Sequence, residues 1–191
     1  RIVELLLSHP EIDVNYKLTK CNWLTIEEVN NALILSIDNN NQELTNYLLK
    51  NSKIDVNSTK ITTYFNKYET IIDVNFPLLE AIVKEQIEVV KDLLNHPDID
   101  VNLEKKVESF MTNSSTINER TNSLYEAVKI ENIEIIKLLL SNPKIDVNMI
   151  CTHYNYSTET KETALNLAFK QDNFEIIKLF FHIIPIIKCL S

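Results

Sequence analysis

The run Asn132-Ile-Glu-Ile-Ile-Lys-Leu-Leu-Leu-Ser-Asn-Pro-Lys-Ile-Asp-Val-Asn148 recurs along the chain, and that recurrence limits what the chain can fold into. Its first part reads as a helix: Glu134, Lys137 and Ser141 form one narrow polar stripe, and Ile133, Ile135, Ile136, Leu138, Leu139 and Leu140 fill the rest. Asn132 is placed to cap that helix, and Pro143 ends it. The same unit ends at Asn15, Asn57 and Asn102, with the anchoring isoleucines Ile12, Ile54, Ile99 and Ile145 spaced 42, 45 and 46 residues apart. A fifth helix begins at Asn173 and lacks the Asp-Val-Asn turn. Units of this size cannot bury their own apolar face, so they must stack in a row.

Upstream of each second helix lies a shorter helical patch in fixed register: Asn31–Ser36, Phe76–Ala81, Asn122–Ala127 and Thr163–Ala168. In each, Leu is followed three residues later by Ala or Ser, giving a two-turn helix with a small residue where the neighbouring backbone comes close. Pro77 falls just inside its helix start, where the missing N–H costs nothing. The array divides into a partial unit at 1–15, full units at 16–57, 58–102 and 103–148, and a last unit at 149–191. Because Arg1–Ser8 aligns with a second helix, the chain reads as a fragment that opens inside a unit.

Composition narrows the function classes. A net charge of −8 opposes binding to a phosphate backbone. Glycine is absent, which removes Gly-rich phosphate loops. Cys21, Cys151 and Cys189 are scattered and form no zinc spacing, so the expectation is a reduced, intracellular, cytoplasmic protein without metal or cofactor. The apolar run Phe180–Ile187 is too short to span a membrane and is interrupted by Pro185. His9 and His96 sit in the same place before proline and are expected to close helices, imidazole toward free carbonyls. No nucleophile–base or H-E-x-x-H spacing occurs, so no catalytic residue is assigned.

Thr163-Ala-Leu-Asn-Leu-Ala168 and Phe76-Pro-Leu-Leu-Glu-Ala81 resemble the Thr-Pro-Leu-His-x-Ala signature of the ankyrin repeat. The second helices and Asp-Val-Asn turns are similar to the rest of that repeat. The resemblance implies an all-α solenoid of helix pairs joined by long, β-hairpin-like fingers. These units run about ten residues beyond the usual 33, and the excess lies in fingers at 16–30, 58–75, 103–121 and 149–162. Those fingers are expected to be irregular: Thr25-Ile-Glu-Glu28 reads as a capping box that starts a helix early, and Val107, Phe110 and Met111 as a helical turn. Ile72–Asn75 reads as the returning arm of a finger.

The resemblance further implies a non-enzymatic protein–protein interaction module that binds a protein partner on the concave face and fingers. The alternatives are a targeting or regulatory segment of a larger enzyme, such as a kinase or ubiquitin ligase, and a structural spacer. On the helix register the concave positions are Leu35, Asp38, Glu80, Val83, Lys84, Glu126, Lys129, Leu167 and Lys170. The finger aromatics Trp23, Tyr64, Tyr68, Tyr154 and Tyr156 are candidate anchors, with packing between fingers as the other reading of each. Asn15, Asn102 and Asn148 resemble the Leu-x5-Asp-Val-Asn context in which ankyrin asparagines are hydroxylated, alongside a structural role for the turn.

Overall fold

A computed structural model describes residues 5, 7, 9–22, 26–65, 69–111, 114–155 and 158–190. Among the described residues four helix pairs follow one another. The first helices are α1 (Ala32–Asp38), α3 (Pro77–Val83), α5 (Ser123–Lys129) and α7 (Ala164–Lys170). The second helices are α2 (Gln42–Leu49), α4 (Ile87–Leu94), α6 (Ile133–Leu140) and α8 (Phe174–Leu190). Each first helix packs on the next first helix, and each second helix on the next second helix, giving two parallel rows. Asn31, Asn41, Asn122, Asn132 and Thr163 cap their helices through side-chain oxygens that accept the free amides. Pro77 begins α3 as its position requires.

The fingers overturn the expectation of an all-α chain. Each is an antiparallel hairpin: β1 (Leu18–Asn22) with β2 (Ile26–Asn30), β3 (Lys60–Phe65) with β4 (Glu69–Asn75), β5 (Glu104–Met111) with β6 (Ser114–Asn122), and β7 (Cys151–Asn155) with β8 (Thr158–Glu162), the third interrupted by a register shift at Val107 and Glu108. Neighbouring fingers also pair with each other, through β2·β3, β4·β5 and β6·β7, so that one eight-stranded antiparallel sheet runs in the order β1 to β8. With 26% of its residues in strands the fold is mixed α/β. Ile26 and Glu28 lie in β2, so the first helix does not start early, and Thr25 lies outside the described residues. Val107, Phe110 and Met111 lie in β5 and make no helical turn. Lys60-Ile-Thr-Thr-Tyr-Phe65 has no clear period of two, but its β-branched and aromatic residues favour a strand. Ile72–Asn75 does form a returning arm, in β4.

The core lies between the two helix rows. Leu33, Leu78 and Leu124 are buried with the small residues Ser36, Ala81, Ala127 and Ala168, as the close helix approach demands. α8 passes through Pro185 without ending. The bend between the helices of each pair places one residue in the left-handed region: Asn40, Glu85, Glu131 and Asp172, with φ of 53–57°. Glycine would adopt this freely, whereas other residues cost roughly 1–2 kcal/mol there. Two of the four recover a contact for the strain. Glu85 Oε2 accepts from Asn132 Nδ2 (2.9 Å), and Glu131 Oε2 accepts from Asn173 Nδ2 (2.8 Å), each reaching the cap of the next pair.

The Asp-Val-Asn turns tie unit to unit. Asn15 Nδ2 donates to the Lys53 carbonyl (2.7 Å), and its Oδ1 accepts from the Asp55 amide (2.8 Å). Asn57 makes the same pair of bonds to Asp98 and Asp100, and Asn102 to Lys144 and Asp146. Each Asp caps its own turn, accepting the amide two residues on. His9 and His96 do not donate to carbonyls. Their Nδ1 atoms accept from the amides of Glu11 (3.2 Å) and Asp98 (3.3 Å), as Asn51 and Asn142 Oδ1 do in the alternate units.

Asn57→Ala removes two inter-unit bonds and should lower unfolding free energy by about 1–3 kcal/mol. Asn148→Ala, whose side chain makes no such bridge among the described residues, should change it by less than about 0.5 kcal/mol. Urea titration followed by circular dichroism measures both. Equal costs at the two positions would contradict the ladder.

Candidate functional site: the inner face of sheet and first helices

Strand alternation gives the sheet two faces. The inner face turns toward the first helices and carries Glu28, Lys60, Asp73, Lys105, Glu119, His153 and Glu162; the opposite residues in each register share it. Lys60 shows how this face is tied to the helices. Its Nζ lies 2.8 Å from Asp38 on α1, 3.2 Å from Glu80 on α3 and 3.5 Å from Glu28 on β2. Burial alone would lower the Lys60 pKa. The hydrogen bond to Asp38 and the nearby Glu80 carboxylate outweigh it and hold the amine above the ordinary lysine range.

One unit on, Lys105 occupies the same register, 3.8 Å from both Asp73 and Glu119. Glu119 also faces Lys129 (3.8 Å) and His153 Nδ1 (3.6 Å), and Lys129 reaches Glu126 (3.3 Å). Burial pushes the Asp73 carboxyl upward; Lys105 opposes that shift and Glu119 adds to it. In the last unit the Tyr125 hydroxyl donates to Glu162 Oε1 (2.8 Å), and Lys170 pairs with the other carboxylate oxygen. Burial works to raise the Glu162 pKa, but the bonds from Lys170 and Tyr125 hold it below the usual range. The inner face is therefore a row of interlocked ion pairs rather than a field of one sign.

The structure sorts the residues singled out from sequence. Asp38, Glu80, Lys84, Glu126, Lys129 and Lys170 all sit at the inner face, but Glu80 and Glu126 are buried and committed to internal partners. Asp38 also pairs with Lys84 (3.6 Å). Leu35 and Leu167 are half-buried, and Val83 is 50% exposed beside Lys84. Tyr64 is 43% exposed on the inner face, opposite Ile71. Tyr154 lies on the outer face, where its hydroxyl donates to Glu159 (2.6 Å), so it does not join Tyr64 in one site. Trp23, Tyr68 and Tyr156 lie outside the described residues. Asn15 and Asn102 are the bridging asparagines described above, while Asn148 is exposed. Sequence reasoning missed Lys60 and Lys105. Their signal was present, since both stand three residues beyond an Asp-Val-Asn asparagine.

Cys151 takes that same register position in the next unit and lies two residues from His153 on the same face. It is buried, with Asn122 Nδ2 3.3 Å from its Sγ. Burial pushes the thiol up to about 12, which is the reverse of what a nucleophile needs. Among the described residues no group of His, Cys, Asp and Glu could hold a metal ion, and no helix is long and apolar enough to cross a membrane. A family model described as ankyrin repeats matches residues 78–186 in three copies. No curated protein matches the chain.

Two outcomes check this electrostatic description. Asp73, with its pKa raised in the fold, weakens the folded state most above that pKa, and the penalty fades as pH falls below the unfolded value. Asp73→Asn should thus gain stability relative to wild type at pH 7 and lose that advantage by about pH 3, measured by urea unfolding at both. Cys151 should resist iodoacetamide in the native protein and react on unfolding, read by peptide mass spectrometry. Rapid native alkylation would contradict its burial.

Proposed function

The chain belongs to the ankyrin-repeat family, and we propose that it acts as a non-enzymatic module holding a protein partner on the inner face of its fingers and first helices. Ankyrin repeats are protein–protein interaction modules, and that much follows from the family. The inner-face assignment rests chiefly on the ion-pair row that Lys60 and Lys105 organise. Side chains already held by their neighbours lose little conformational freedom when a partner arrives, which favours binding. Their charges largely cancel, so the surface suits a protein of mixed charge and not a nucleic-acid backbone. Exposed apolar groups then supply the affinity: Leu18, Tyr64 and Val83 stand out from this face, and Tyr64 and Val83 are chosen as its anchors.

The double variant Tyr64→Ala with Val83→Lys changes two exposed side chains and should leave circular dichroism intact. Proteins captured by the immobilised wild-type chain from its own cells should be retained at least about 10-fold less by the variant, since central anchors are commonly worth 2 kcal/mol or more. Quantitative mass spectrometry of the two captures gives the answer. Equal retention of every captured protein would move the binding site off this face.

A further inference from the structure

The outer face of the sheet is divided, and the division carries a second interaction surface. On the third and fourth fingers this face bears charges, several of them neutralised locally: Arg120 lies 3.6 Å from Glu104, and Lys161 lies 3.0 Å from Glu159. On the second finger it bears none. Registered pairing places Val29, Ile61 and Val74 in one row across β2–β4, Thr63 and Ile72 in the next, and Phe65, Thr70 and Phe110 in a third across β3–β5. Phe65 is 44% and Phe110 38% exposed, and none of the six apolar side chains packs against the core. In a chain with 24% charged residues, an uncharged solvent-facing patch of this extent is not an accident of composition.

We propose that this patch is a self-association surface, on which a second copy of the chain packs sheet against sheet about a two-fold axis. Three observations select that occupant. The surface is the flat face of a sheet three to four strands wide, the shape that stacks on another such face at about 10 Å. The register places three charges at its border, Glu27 on β2 and Lys106 and Glu108 on β5, the last two standing two residues apart on the same face. Among the described residues neither Lys106 nor Glu108 makes an ion pair or side-chain hydrogen bond, unlike the charges farther along this face. Opposite, uncommitted charges beside an apolar centre are what a two-fold interface uses, because each then meets its complement in the other copy. Size sets the strength. Six apolar side chains make a small interface, and complexes at the low end of the specific size range, about 1,000–1,200 Å² in all, are weak, so the dimer is weak. This surface is opposite the inner face, and the dimer does not depend on the partner-binding reading.

Sedimentation velocity of the full chain from about 1 to 300 µM tests this. Wild type should shift from monomer to dimer over that range, and Ile72→Lys should remain monomeric throughout. Ile72→Thr, which keeps a β-branched side chain and so the strand, should weaken association at least several-fold, covering the case in which the lysine variant fails to fold. Lys106→Glu and Glu108→Lys should each weaken it, and the double reversal should restore it to within about 2-fold of wild type. Wild type that stays monomeric at 300 µM overturns the proposal, as does a dimer indifferent to Ile72→Lys or to the charge reversals. A monomer that instead binds a helical or extended segment of another protein at this patch also overturns it.

Discussion

Two lengths must agree for this fold to exist. Packed helices stand 8–10 Å apart, and a pair of antiparallel strands occupies about 9.5 Å. One hairpin per helix pair therefore fills the stacking period, and its trailing strand arrives where the next hairpin's leading strand can bond to it. The bridging asparagines Asn15, Asn57 and Asn102 enforce that period at the base of the fingers, each holding the next turn by both its donor and its acceptor. Everything beyond the base follows: strands in register, Lys60 spanning two helices, and a single sheet in place of four loose arms.

The same commensurability explains why the inner face is rigid enough to serve as a binding surface. A lone two-stranded hairpin is marginally stable in water. Joined to its neighbours it loses its edges and acquires partners on both sides, and the joins are tighter in the middle of the array than at its end. β4 and β5 share six registered pairs, whereas β6 and β7 share Glu119↔His153 and Arg120↔Thr152, beyond the bulge at Val107 and Glu108. The last finger is held instead by side chains, through the Tyr125–Glu162 bond and the Tyr125–His153 ring contact at 5.1 Å.

The helical half of this architecture was legible in the residues. Leu–x–x–Ala spacing, asparagine caps and Pro77 each act within a few residues, and local patterns of that kind survive into the fold. The fingers were less legible, because each inner strand depends, besides its hairpin partner, on a strand of the neighbouring finger some 32–42 residues away. Val107, Phe110 and Met111 satisfy a helical spacing as well as a strand, and the partner strands β4 and β6 decide between them. The site divided in the same way. Helix register found Asp38, Glu80 and Lys84, but not that Glu80 is buried beneath Lys60, since that contact joins a finger to a helix of the following pair. The bends at Asn40, Glu85, Glu131 and Asp172 escaped notice because residues other than glycine hold a conformation for which glycine is the usual signal.

Backbone hydrogen exchange at the joins between fingers tests the continuous sheet most directly. If the fingers form one sheet, amides of β4 and β5 that bond across the join, within Thr70–Val74 and Lys106–Phe110, should exchange at least about 100-fold more slowly than in an unstructured peptide. Protection confined to the helices, with these amides exchanging at the unstructured rate, would contradict it.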